Sequence, residues 1–85
     1  MNIELKDLAQ GPIYAQVRQQ IEAQIASGQL PSGERLPGPA SLAQQLAVDR
    51  GEIQRAYFEL EHAGVVRKET SKDFLGKVKT TYRVK

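Results

Sequence analysis

"LAVDRGEIQRAYFELEHAGVV", residues 46–66, reads as the end of one helix, a tight turn, a second helix and the exit into a strand. Ile53, Ala56, Tyr57 and Leu60 recur at three- and four-residue intervals and so share one helical face. Gly64 falls just past them, where a left-handed residue commonly ends a helix. Ala47-Val48 supplies the turn and Asp49 begins the longer helix, while Val65-Val66 opens extended chain. The front of that helix is unusual, because Asp49 and Glu52 flank Arg50 and Gly51. Asp-x-x-Glu before an apolar face is a capping-box variant, in which Asp49 accepts from the amide near Glu52 and Glu52 reaches back to the cap amide.

Upstream, Ile13, Val17, Ile21 and Ile25 repeat every four residues behind Gly11-Pro12, predicting an amphipathic helix of about four turns. Pro12 suits its first turn and Gly28 its stop. The stretch "QLPSGERLPGPASL", residues 29–42, must turn, extend briefly through Glu34-Arg35-Leu36 and turn again. A short helix then starts around Pro39 or Ala40 and carries Leu42, Ala43 and Leu46. Downstream, Val78, Thr80, Tyr82 and Val84 alternate with Lys77, Lys79, Thr81 and Arg83, the two-residue period of a half-buried strand with a basic outer face. Between the two strands "ETSKDFLGK", residues 69–77, reads as a polar loop with Gly76 near a hairpin tip.

Composition limits what such a chain can do. Eighty-five residues hold one small domain with a modest core, and 40% apolar against 26% charged residues suits a folded, soluble chain. There is no cysteine, hence no disulfide or thiolate zinc site, and a reducing cytoplasm is the expected location. The opening "MNIELKDLAQGPIY" lacks the basic start and apolar run of a secretory signal, and no apolar stretch approaches bilayer length. His62 is the only histidine and has no companions for a metal site. No nucleophile, base and acid combine at a persuasive spacing, and no glycine motif cradles phosphate, so neither catalysis nor a cofactor is expected. The net charge of +2 is unevenly placed: residues 1–49 hold three basic and five acidic side chains, residues 50–85 nine basic and five acidic. That polarity fits a polyanion partner, and equally a sheet whose outer face is solvated by lysines.

Three helices followed by a basic β-hairpin give an α+β fold, the winged helix-turn-helix, with residues 1–10 as an N-terminal arm and 11–85 as the domain. In that architecture the third helix fills the major groove and the hairpin reaches the neighbouring backbone or minor groove. "PIYAQVRQQIEAQIASGQLPSGERLP", residues 12–37, and "SLAQQLAVDRGEIQRAYFELEHAGVV", residues 41–66, resemble the N-terminal DNA-binding domain of GntR-type transcriptional regulators. The specific blocks are "I..G.LPSGERLP", "LA..L.V.R" and "RAY.ELE..G", in family order and spacing. The resemblance implies a DNA-binding regulator, usually a repressor, acting as a homodimer on double-stranded DNA with a palindromic operator. Departures accompany the match. Family members usually carry a sensing or dimerising domain after the winged helix, whereas this sequence ends at Lys85; a single-domain form or a protein partner supplying regulation is expected. Pro39-Ala40 replaces a customary acidic-arginine pair, and Asp49, Gly51 and Glu52 replace the serine or threonine and small polar residues around Arg50. The segment from residue 68 to residue 85 is longer and more charged than the family's usual wing.

Candidate DNA contacts follow. Arg50 projects away from the apolar stripe and can grip phosphate or both acceptors of guanine. Glu52 either caps its helix or accepts from the amino group of cytosine. Gly51 lowers helix propensity by roughly 1 kcal/mol against alanine unless a backbone must pass close or the cap demands it. Gln54 and Arg55 can both reach a groove, with Arg55 alternatively paired to Glu59 four residues on. Lys72, Lys77, Lys79 and Arg83 are phosphate candidates on the wing, or else lysines guarding a strand edge. Phe74 wedges into a groove, packs back on the domain or joins a partner. The competing function is a protein-interaction adaptor of the same fold, favoured by the acidic opening of the third helix and by Ala40.

Overall fold

The computed structural model describes residues 1–85, the side chain of residue 8 excepted. Three helices, α1 (Ile13–Ala26), α2 (Pro39–Leu46) and α3 (Arg50–His62), pack on a small sheet of β1 (Arg35–Leu36), β2 (Val66–Lys72) and β3 (Val78–Val84). The winged helix-turn-helix expected from the pattern is the observed architecture, with a third strand added. The sheet is antiparallel in the order β1-β3-β2, because the brief extended run at Arg35-Leu36 pairs with Arg83 and Tyr82.

Each helix follows from local chemistry. Pro12 is the N-cap of α1, and Gly28, two residues beyond its end, takes the left-handed conformation at φ 84°. Val17 and Ile21 are fully buried, with Ile13 and Ile25 packed at the margin. Ala47 closes α2 in the left-handed region at φ 56°, a conformation that costs an L-residue about 1 kcal/mol. The Val48 amide donates to the Ala43 carbonyl at 3.0 Å, which tightens the turn into α3. The core joins Val17 and Ile21 of α1, Leu42 and Ala43 of α2, Ile53, Ala56, Tyr57 and Leu60 of α3, and Leu36, Val66 and Val84 of the sheet. Tyr57 is the hub: its hydroxyl donates to the Pro37 carbonyl at 2.7 Å, and its ring meets Tyr82 edge-on at 4.9 Å. Burial, helped by the neighbouring Tyr82, pushes the Tyr57 phenol above its ordinary range.

Residues 2–7 run along α1, held by three glutamines one turn apart. The side-chain amide of Gln24 donates to the Asn2 carbonyl at 2.6 Å, and that of Gln20 both accepts from the Glu4 amide at 2.8 Å and donates to its carbonyl at 2.6 Å. Gln16 is only 4% exposed; it accepts from the Lys6 amide and donates to the carbonyls of Asp7 and Gly11. Four helical residues advance about 6 Å and two extended residues nearly 7 Å, so the glutamine rungs keep step with alternate residues of the extended segment.

Two expectations require correction. Residues 69–72 are strand rather than loop, since β2 pairs with β3 from Val66↔Val84 out to Lys72↔Val78. β3 is also not half-buried along its length: Val84 is buried, Thr81 to Arg83 are intermediate, and Val78 to Thr80 are exposed. The hairpin outruns the helices, so its inward-facing alternation continues past the core into solvent.

Candidate nucleic-acid interface

The core stripe of α3 leaves the opposite face of the helix outward. Arg50, Gly51, Gln54, Arg55, Phe58 and His62 are all exposed. Asp49 is the N-cap, and its side chain accepts from the Gly51 amide at 3.1 Å. The reciprocal half of the expected capping box is absent. Glu52 reaches across to α1, where its Oε2 accepts from the Tyr14 amide at 3.0 Å. α1 has no side-chain cap of its own on Pro12, so its first-turn amides need an acceptor, and a carboxylate at a helix N-terminus is also favoured by the helix dipole.

Glu52 belongs to a seam. One turn on, the Arg55 guanidinium lies 3.8 Å over the Tyr14 ring, with its Nε 3.4 Å from Glu59 Oε2. Glu59 in turn accepts from Arg18 at 2.7 Å. Arg18 Nε lies 3.5 Å from Glu22 without the geometry of a hydrogen bond. The residues at 52, 55 and 59 thus fix α3 against α1. Arg55 stays available from that position, since its side chain is 60% exposed.

Arg50 has no carboxylate partner among the described residues. Turned so that its oxygen faces the guanidinium, Gln54 accepts from Arg50 Nε at 3.1 Å and Nη2 at 3.2 Å, which braces the two side chains together one helical turn apart. Gly51 has neither a positive φ nor a crowded Cβ position; an added methyl would meet only Asp49 Oδ1, at 3.8 Å. The chain itself therefore gives no reason for glycine there. Phe58, not among the contacts expected from the sequence, is 59% exposed and tilted against His62 at 4.2 Å between ring centres. Its position two residues off the Leu60 stripe was the signal.

On the wing, Lys72, Lys77 and Lys79 are exposed and pair with no carboxylate among the described residues. Lys72 lies opposite Val78 and Lys79 opposite Ser71, so strand alternation puts these two lysines on opposite faces of the ribbon. Lys77 sits in the turn, its amide donating to Asp73 Oδ1 at 3.0 Å. Arg83 is not a free cation: it pairs with Glu69 at 2.8 Å, and Arg67 approaches the same carboxylate at 3.4 Å. The base of the wing thus sets Arg67, Arg83 and the exposed Lys68 against the single carboxylate of Glu69, and the tip sets Lys72, Lys77 and Lys79 against Asp73, so the whole wing is cationic.

A helix-turn-helix braced by a sheet, with an open third helix beside a cationic hairpin, defines a winged-helix DNA-binding domain. The pattern of bacterial regulatory proteins of the gntR family matches residues 13–72, and the chain belongs to that family. It is 44% identical over 55 residues to the HTH-type transcriptional regulator Rv1152 of Mycobacterium tuberculosis, a stretch covering 65% of this chain and 46% of that protein. It is 42% identical over 55 residues to the histidine utilization repressor of Pseudomonas aeruginosa, covering 65% of this chain and 22% of that one. The chain thus spans about half the length of the first relative and less of the second. Among solved structures, YtrA from Sulfolobus acidocaldarius, a GntR-family transcription factor, superposes with a TM-score of 0.77 at 32% identity, covering 99% of this chain and 78% of that one. The DNA-binding domain of AraR, in complex with operator ORR3, superposes with a TM-score of 0.64 at 25% identity, covering 100% and 88%. The domain is that of a transcription regulator, not an enzyme. No helix among the described residues is long and apolar enough to cross a membrane.

Proposed function

We propose that the protein is a sequence-specific double-stranded DNA-binding repressor that acts as a homodimer on a palindromic operator. The front of α3 enters the major groove, where Arg50, braced by Gln54, reads base edges and Gly51 lets the helix backbone come close. Arg55 and the wing residues Lys72, Lys77 and Lys79 hold phosphates. Glu52 serves as the strut that sets the angle of α3 on α1, because its carboxylate already serves the Tyr14 amide. The observation that carries the reading is the open front of α3, with a carboxylate-free arginine and a glycine that the fold does not need, beside a cationic wing tip. The repressor sense is supported by the name of the Pseudomonas relative. Dimerisation is supported by area: one such module buries only about 600–1,000 Å² on DNA, so useful specificity takes two copies.

The test is selection from a randomised duplex pool at about physiological salt, where non-specific binding is weak. Enrichment of an inverted repeat is the expected result, with Arg50→Ala weakening the selected site more than random DNA. Absence of enrichment by folded protein would overturn the reading and make the face of Arg50 and Phe58 a surface for another protein.

A further inference from the structure

The wing tip is chemically unlike the rest of the surface. Phe74 is 95% exposed, Leu75 69% and Val78 60%, while the other large apolar residues of the hairpin, Val66, Tyr82 and Val84, are packed in or against the core. The turn that presents them is firmly built. The Asp73 amide donates to the Lys77 carbonyl and the Gly76 amide to the Asp73 carbonyl, each at 3.0 Å. Asp73 Oδ1 accepts from the amides of Leu75 and Lys77 at 2.9 and 3.0 Å, and Gly76 takes the left-handed conformation at φ 80°. Such a three-residue loop needs an aspartate at its entry and a glycine at its left-handed position, and makes no demand for an aromatic or aliphatic residue between them. Phe74 and Leu75 are thus held out in water by a turn that polar residues would satisfy better.

Around this apolar point stand Lys72, Lys77 and Lys79, on both faces of the ribbon and without carboxylate partners among the described residues. An apolar point in a cationic collar complements the DNA minor groove, where stacked bases lie between two rails of phosphate. Reach agrees as well. From buried Val66 to exposed Lys72 β2 spans about 20 Å with the turn at its far end, of the order of the half-turn of about 17 Å that separates a major groove from the next minor groove.

We propose that Phe74, backed by Leu75, is a wedge that the wing drives between base pairs in the minor groove, unstacking one step and kinking the duplex. This rests on the DNA-binding reading above. Flexible pyrimidine–purine steps are its preferred points of entry, since they unstack at least cost. Operator choice then includes a position selected for deformability rather than by a hydrogen bond.

The experiment uses an end-labelled duplex of about 30 bp carrying several TA steps, with a fluorescent adenine analogue in them whose emission rises on unstacking, at low salt. Wild-type protein is expected to shorten the end-to-end distance, by a kink in the range of roughly 20–90°, and to raise the emission. Phe74→Ala is expected to remain folded, given its exposure, to bind roughly tenfold more weakly with the salt dependence kept, and to lose both bending and emission. Wild-type binding without bending or unstacking overturns the wedge and leaves DNA binding standing. Bending that survives Phe74→Ala, or a variant that changes only the oligomeric state by light scattering, also overturns it, the latter assigning the tip to a second copy of the chain. Failure of folded wild-type protein to bind any duplex at low salt overturns the DNA reading itself.

Discussion

Gly51→Ala separates what the fold needs from what a ligand needs. Gly51 is the second residue of α3, its φ is not positive, and the added methyl would stand 3.8 Å from Asp49 Oδ1, an ordinary contact. Replacing glycine by alanine at a compatible helical site stabilises by about 0.4–1 kcal/mol, mainly by narrowing the unfolded ensemble. For a domain of this size, that raises the melting temperature by roughly 2–8 °C. If the backbone at Gly51 lies against DNA, the same methyl must be accommodated at a packed surface, at about 1–3 kcal/mol. Affinity for the selected duplex would then fall by about 5- to 150-fold. Urea titration read by circular dichroism gives the first number, and fluorescence anisotropy with labelled duplex the second. The expected outcome is a more stable protein that binds worse. Higher stability with affinity unchanged within about twofold would remove the close approach of DNA from the account. A loss of stability would mean that the cap between Asp49 and the Gly51 amide has been misread.

Other perturbations probe separate joints. Glu52→Ala takes the acceptor from the Tyr14 amide and should cost about 1–2 kcal/mol, with Glu52→Gln retaining part of it; a changed base preference at unchanged stability would restore Glu52 as a reader. Tyr57→Phe leaves the Pro37 carbonyl without its donor and should cost about 1–3 kcal/mol by urea titration. Because the folded pKa of Tyr57 is raised, its contribution is present below the unfolded value of about 10 and lost as pH climbs above it; the variant should lose that alkaline slope, and an equal slope in both proteins would contradict the burial argument. Gln16→Ala strands three backbone groups of the N-terminal segment and should expose Lys6 to trypsin well before the body unfolds; unchanged cleavage would show that the other rungs suffice. Replacing Lys77 and Lys79 together by alanine should reduce the slope of log affinity against log salt by about 2, and an unaltered slope would take the wing off the backbone.

Residues three to five positions apart carry their meaning in the sequence itself. The spacing of Ile13, Val17 and Ile21 determined the buried face of α1. Gly28 and Asp49 marked helix boundaries, and the alternation ending at Val84 marked the strand that anchors the wing. These are readable because helix and strand periodicities are local properties of the backbone. Arg50 and Gln54 were legible for the same reason, since they fall off the apolar stripe of their own helix. Long-range partners were decided only by the tertiary structure. Glu52 reads in the sequence as a cap of its own helix or an acceptor for cytosine, yet serves an amide 38 residues away, because packing sets the start of α1 beside it. Arg83 reads as a free cation until hairpin register brings Glu69 within 2.8 Å. Arg35-Leu36 becomes a strand only because β3 offers an unpaired edge, and the wing tip is exposed only because the strands outrun the helices. In each case several partners satisfy the same donor, acceptor or edge equally well nearby in sequence, and only the close packing of the core chooses among them.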